Sequence, residues 1–361
     1  MMIIHRLPSG DELHKYKKTL VLTFNGRRKT LSTSVINGGY RDNMTAVFNN
    51  DCKPGAGMAC VLKAPTYEEH MKLLSEELGL DPAVTTGMST AATMENVSIK
   101  SMPFRDISVT AIITGGIETN GGRVGDPATW HEEDGKSVNT EAATGTINIM
   151  LFIDADLSEG ALTRALVTCT EAKSAAIAEL IASSRYSMGI ATGSGTDSTV
   201  VISNSESQAH LTQAGKHSKL GELIGLTVKA AVKETFLKQS NLCPETQHNI
   251  LRRLDRFGIT EDTLWDLYTG EHDKPHFLHK LHTTARDNTI LTYTSLYVHL
   301  MDQLMWELIS PEEALTAGEM ILAILEKRHS ESIGDTGGDT INRMITAYGD
   351  FLTRYICATN I

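Results

Sequence analysis

The sequence predicts an α+β fold: a layered sheet core flanked by helices, in an α/β/β/α arrangement, followed by an all-helical C-terminal region. Three observations carry this. The first 60 residues alternate β-branched runs with turn residues. The stretch "TGTINIMLFIDADLSEGALTRALVTCTEAKSAAIAEL" reads as a strand, a short acidic turn and a long helix. From about residue 241 the apolar residues keep helical spacing, in segments opened by Ser, Thr, Asp or Pro. The boundary falls near Ser240–Pro244, giving a 1–240 α+β core and a 241–361 helical region.

The elements follow in order. "TLVLTFNGRRKTLSTSVINGG" places Asn25-Gly26 between β-branched runs, a two-residue hairpin signal. "TYEEHMKLLSEELG" (66–79) is a helix with Thr66 as cap, Glu69 completing a capping box and Gly79 as terminator. "ISVTAIITGG" (107–116) is a buried strand running into glycines. Residues 117–145 lack apolar periodicity and read as a long polar loop, a length that points to function or disorder. A strand at 146–153, a helix at 158–183, a glycine loop entering another strand at 187–203 and a helix from Gly215 complete the core.

Bulk properties narrow the function. A net charge of −11 argues against nucleic-acid binding, because phosphates demand a basic surface. The densest basic spots, "RRK" (27–29) and "RRLDR" (252–256), read as solvated faces. The longest apolar run, "INIMLFI", is strand-length, and the N-terminal "MMIIHRLPSGDE" is too short and too polar for a signal peptide. Five cysteines, with no CxxC pair, suit a reduced compartment. A soluble, cytoplasmic protein is expected.

The chemistry-bearing residues gather in the middle of the chain. On a helical wheel with Leu162 at zero, Ala165, Leu166, Cys169, Ala176, Ile177 and Leu180 fall within roughly 60°, and Lys173 lies inside that stripe. Such a lysine either snorkels to water or is a desolvated amine held by a carboxylate or facing a substrate carbonyl. Glu171 falls on the opposite helix face. In the preceding strand, Thr146 and Asn148 project together, either as a hydroxyl beside an amide suited to acyl chemistry or as a polar strand end. "ATGSGTDS" (191–198) is neither a Walker loop nor a dinucleotide fingerprint, so it is a tight turn or an amide-lined cradle. His272, His276, His279 and His282 sit close together but lack a familiar zinc spacing, and no metal site is expected. His217 stands where a helix begins, placed to cap or to contact substrate, and His131 is expected to be exposed.

The motifs "ITGGIETNGGRVGDPA", "GTINIMLFIDADLS", "TCTEAKSAAIAEL", "SRYSMGIATGSGTDSTVVIS" and "AGKHSKLGELIG" together resemble the adenosylcobinamide amidohydrolases. The resemblance is dense over residues 85 to 240, and the stretch after about 262 carries no matching motif. It implies hydrolysis of the amide between the corrin propionyl side chain and aminopropanol, as part of corrinoid salvage. The cobalt corrinoid is then substrate, no cofactor is needed, and neither nucleic acid nor membrane is a partner; a homo-oligomer is compatible. A weaker local likeness joins "TGTINIMLFIDADLSEGAL" and "GSGTDSTVVIS" to the self-cleaving ornithine acetyltransferase and β-peptidyl aminopeptidase group. That likeness implies a nucleophile at Thr146 or Thr144, and strand geometry favours Thr146.

From these readings Thr146 is expected as nucleophile or water-positioner, with Asn120 and the Gly115-Gly116 backbone as oxyanion stabilisers. Lys173 would be acid/base or charge partner and Asp197 its orienting carboxylate, while Asp126, Asn148, Thr192, Gly193, Thr196 and His217 would line the substrate cleft. Three rivals remain. One is a water-activating hydrolase built on Asp126 and "HEEDG"; another is a corrinoid-binding protein without turnover; the third is an amidase or acyltransferase acting on another amide.

Overall fold

A computed structural model describes residues 2–55, 58, 60–133, 136–139 (backbone only), 145–271, 273–326 and 339–358. The chain divides into two compact units, Met1–Cys243 and Pro244–Ile361.

In the first unit a six-stranded sheet runs in the order Gly39–Arg41, Arg28–Ser32, Ser198–Asn204, Thr146–Ile153, Ile107–Gly116, Ser98–Phe104. Its central pair, Thr146–Ile153 and Ser198–Asn204, is parallel and is joined through the Glu159–Glu179 helix. A second sheet has the order Met2–Arg6, Glu12–Tyr16, Thr19–Thr23, Ala46–Asp51, Thr85–Thr90. Its last pair is also parallel, and the Tyr67–Glu77 helix makes the crossover. Parallel neighbours require such crossovers, whereas antiparallel ones close with short turns.

The alternation along Thr146–Ile153 sorts the layers. Ile147, Ile149, Leu151 and Ile153 pack with Leu162, Ala165, Cys169 and Ile177 of one helix and with Ile224, Val228 and Val232 of the Lys219–Ser240 helix. Met150 and Phe152, on the opposite face, meet Leu20, Leu22, Val47 and Met88 of the second sheet. The far side of that sheet, Val21 and Phe48, is covered by Met71 and Leu74 of the Tyr67–Glu77 helix. The unit is therefore layered α/β/β/α, with both sheet interfaces dry enough for each buried aliphatic side chain to contribute roughly 1.5–3 kcal/mol.

Several local expectations hold. The Thr66 capping box forms, and Gly79 follows the helix at φ +75°. The strands at 107–116 and 146–153 occupy those residues. The helix expected over 158–183 starts after its Ser158 cap and stops at Glu179, with Ile181 at φ +50°.

Others need correction. Asn25-Gly26 is a turn, with Gly26 at φ +123°, but it does not close a hairpin: Thr19–Thr23 and Arg28–Ser32 belong to different sheets. The turn is held by Asp11, which accepts the Asn25 amide at 2.9 Å and the Arg28 Nη2 and Nε at 2.8 and 3.2 Å. Arg28 is thus buried rather than solvated, and Lys29 pairs with Asp156 at 2.5 Å. Within 117–145, Trp130–Glu133 and Lys136–Asn139 pair antiparallel, and Gly121–Gly122 pairs with Gly193–Ser194. Cys52 and Cys60 form a disulfide, so the expectation of a reduced set of thiols fails at this pair.

The described part of the second unit is helical: Ile250–Leu254, Glu261–Leu267, Lys274–Thr284, Asn288–Met305, Pro311–Glu326 and Thr340–Ala358. Arg256, expected on a solvated face, is buried and forks onto Asp302 at 2.6 and 2.7 Å. His276, His279 and His282 share the Lys274–Thr284 helix, where His282 meets Glu261 at 2.8 Å; His272 lies outside the described residues. Among the described residues no group of three or more metal-ligating side chains occurs, and no helix is long and apolar enough to cross a membrane.

Candidate active site

The strand tips of the six-stranded sheet meet the glycine loops at a cleft of about 790 Å³. The Glu159–Glu179 helix, fixed on the sheet by Leu162, Ala165 and Cys169, brings Lys173 to it. Lys173 Nζ forms an ion pair with Asp197 Oδ2, and the two side chains are only 12% and 13% exposed. Glu171 turns away, as its wheel position requires, and pairs with Lys216 at 2.9 Å.

Asp197 holds more than the lysine. Its Oδ1 accepts the Ile147 amide at 2.9 Å and the Ser194 hydroxyl at 2.6 Å, and Oδ2 accepts the Ser194 amide at 3.0 Å. One carboxylate therefore ties together the first peptide of the strand, the glycine loop and the helix. Gly193 permits this: a Cβ there would stand 2.8 Å from Lys173 Nζ, and nearer still to Asp197.

Beside this pair is a cluster of hydroxyls and amides. Thr146 Oγ1 donates to the Thr196 carbonyl at 2.5 Å, and the Thr196 hydroxyl lies 3.0 Å from Thr146 Oγ1 and 2.8 Å from the Gly145 carbonyl. That carbonyl also accepts Asn120 Nδ2 at 3.0 Å, while Asn120 Oδ1 accepts the Tyr186 hydroxyl at 2.5 Å. Asn120, Lys173 and Thr196 line the large cleft. Thr146 does not: it opens on a smaller hollow of about 430 Å³, together with Gly116 and Gly145. Thr144, the other position for the nucleophile, lies outside the described residues.

The remaining expected residues divide. Asp126, Thr192 and Gly193 line the cleft. Burial raises the Asp126 carboxyl, but hydrogen bonds from Ser184, Ser187 and the Arg123 amide outweigh it and hold the group below the usual carboxylate range. Thr192 accepts the Val124 amide at 2.9 Å, and its carbonyl takes Ser174 Oγ at 2.9 Å.

Three positions need correction. Gly115 is laddered opposite Ile147 with its α-carbon against that strand, so of the two glycines only Gly116 reaches a hollow. Asn148 is buried between the sheets, where Nδ2 donates to Asn49 Oδ1 at 2.8 Å and to the Ser89 carbonyl at 3.0 Å; it serves the core, not a substrate. His217 is exposed just before the Ser218 cap and lines neither hollow. His131 is exposed as expected and pairs with Glu133 at 3.0 Å.

Residues not singled out beforehand also line the cleft: Tyr186, Ser194, Arg123 and the half-exposed Trp130. Tyr186 and Ser194 lay inside recognisable motifs, but only their tertiary partners reveal a role. Cys169, one turn before Lys173, offers no thiolate, since burial pushes its thiol up to about 12 against the lowering effect of Lys173.

A family model described as adenosylcobinamide amidohydrolase matches residues 4–244. The chain belongs to this family. An uncharacterized protein of Methanocaldococcus jannaschii is similar, at 33% identity over 242 residues, covering 64% of this chain and 91% of that protein. The Glu159–Glu179 helix and the strands that build the cleft lie within the family's matched span, as do Lys173, Asp197, Thr146 and Asn120. At family level the adenosylcobinamide amidohydrolases are, by description, hydrolases of an amide.

Proposed function

We propose that this chain cleaves the amide between the corrin propionyl side chain and aminopropanol of adenosylcobinamide, giving adenosylcobyric acid and 1-aminopropan-2-ol. The observation that supports it is the shielded Lys173–Asp197 pair on the wall of a large cleft, one hydrogen-bonded layer from the Thr146 and Thr196 hydroxyls. Amide hydrolysis needs a nucleophile, a donor for the tetrahedral oxyanion and an acid for the leaving amine.

In this reading Thr146 attacks or seats the attacking water, with the Thr196 hydroxyl beside it. Asn120 carries two N–H donors, of which Gly145 takes one and a developing oxyanion the other. Lys173, oriented by Asp197, protonates the departing nitrogen. Arg123, Trp130 and Tyr186 wall the acyl side of the cleft. The cobalt arrives with the substrate. The net charge of −11 supports a small-molecule partner rather than nucleic acid, and the reading is of a cytoplasmic enzyme.

Incubation with adenosylcobinamide tests the proposal: release of 1-aminopropan-2-ol is expected, and binding without release would make the protein a corrinoid carrier instead. Activity of Thr146→Ala within about threefold of the native protein would remove Thr146 from the nucleophile role.

A further inference from the structure

Two hollows reach the Thr146 cluster and share no lining residue. The wall between them is thin. Asn120 and Thr196 stand on the side of the large cleft, Gly145 and Thr146 on the other, and their mutual hydrogen bonds measure 2.5 to 3.0 Å. A bond broken at this wall would have its two halves on opposite sides of it.

The hollows differ in size and chemistry. The smaller, about 430 Å³, presents Lys53, Glu118, Thr119 and Gln239, so it carries both charges and several hydrogen-bonding groups. Its width depends on small residues. Ala91 and Ala92 line it, and a Cβ on Gly116 would crowd Gln239 Cγ at 3.1 Å. Gln239 is held in place, since its Oε1 accepts the Thr93 amide at 3.3 Å and Asn96 Nδ2 at 3.0 Å. Of the two hollows, the larger, about 790 Å³ and walled by Trp130 and Tyr186, is the one with room for a tetrapyrrole-sized ring.

We infer that the smaller hollow is the subsite for the leaving amine, a short amino alcohol, while the acyl macrocycle occupies the large cleft; this rests on the hydrolase reading above. In the reaction the acyl C–N bond breaks and water supplies the hydroxyl of the new carboxyl. The nitrogen takes the water's remaining proton by way of Lys173 and a second proton from the new carboxyl, which ends as a carboxylate. It leaves as an ammonium, for which the Glu118 carboxylate supplies opposite charge and Thr119 and Gln239 supply partners for the alcohol.

Ala91→Leu tests the subsite by filling it. Inhibition of hydrolysis by 1-aminopropan-2-ol should weaken about tenfold or more, while affinity for adenosylcobyric acid stays unchanged, because only the amine side is blocked. Saturation-transfer NMR should show 1-aminopropan-2-ol bound to the native protein and not to Ala91→Leu. If Ala91→Leu does not fold, Glu118→Gln takes its place, since it removes the opposite charge for the ammonium, with the same expected loss of amino-alcohol inhibition. Undiminished inhibition, or undiminished NMR contact, in a folded variant overturns the assignment. Native protein that binds the amino alcohol yet cleaves no adenosylcobinamide keeps the subsite and refutes the hydrolase reading. Native protein that cleaves it, with variants inhibited by the amino alcohol as strongly as the native protein, does the reverse.

Discussion

Lys173 and Asp197 meet directly above the α-carbon of Gly193, where a Cβ would stand 2.8 Å from the lysine nitrogen. The glycine is needed here for closeness rather than for an unusual backbone angle. A side chain of any size would separate helix from loop.

Gly193→Ala is therefore expected to keep the fold and lose the chemistry. Displacing a reacting group by about 1 Å costs on the order of 10²-fold in rate. Comparing turnover of adenosylcobinamide with the thermal midpoint checks this; equal turnover would show that the pair tolerates separation.

Lys173→Met leaves Asp197 without its cation in a shielded site. Loss of one buried partner costs about 3–5 kcal/mol, and the three hydrogen bonds Asp197 receives from Ile147 and Ser194 push the expectation toward about 3. Lys173→Arg should restore much of the stability but not the rate, because a guanidinium does not give up a proton readily. Urea titration beside single-turnover kinetics separates the two effects.

The Cys52–Cys60 link closes a short loop that carries Lys53 and Met58 to the edge of the smaller hollow. Constraining a loop of this length is worth about 2–3 kcal/mol. Alkylation without reductant should modify neither cysteine, and Cys52→Ser should lower the unfolding free energy by about that amount. Modification of both thiols in native protein would refute the link.

Arg28→Ala strands the fully buried Asp11 carboxylate and is expected to cost about 3–5 kcal/mol. Arg28→Met combined with Asp11→Leu removes both charges and should recover most of that loss. Chemical denaturation of the two variants provides the comparison.

The sequence revealed what is local. The apolar strand at 146–153 is buried on both faces, so an uninterrupted hydrophobic run announces it. The Thr66 cap and its Glu69 partner lie within one turn. The wheel position of Lys173 signalled an anomaly that proved to be the ion pair with Asp197. What failed depended on distant partners. Asn25-Gly26 specified a turn, but Asp11 and the second sheet decided which strands it joins. Arg28 and Arg256 looked solvated because Asp11 and Asp302 are remote in sequence. Asn148 showed the polarity of a site residue, yet Asn49 and Ser89 make it part of the inter-sheet packing. Trp130–Glu133 carries no apolar alternation, so its pairing with Lys136–Asn139 left no periodic trace.

Acid sensitivity follows from Glu234, which joins the Lys219–Ser240 helix to the Ser98–Phe104 strand through Lys100 and also pairs with Lys238 one turn on in its own helix. Burial raises its carboxyl, but the two ammonium groups outweigh that and hold it down at about 2, against 4.5 when unperturbed. Because the folded value is depressed, the unfolded chain binds the proton first as pH falls. The stabilisation is complete above about pH 4.5 and is lost progressively as pH drops toward 2. Asp126 titrates in the same sense, so native stability should decline through this window from more than one carboxylate. Glu234→Gln should lower stability at pH 7 and reduce the slope of unfolding free energy against pH between those limits, leaving the slope above pH 5 unaltered. Urea unfolding across the range measures both; an unchanged acid slope in the variant would mean that Glu234 contributes no linkage.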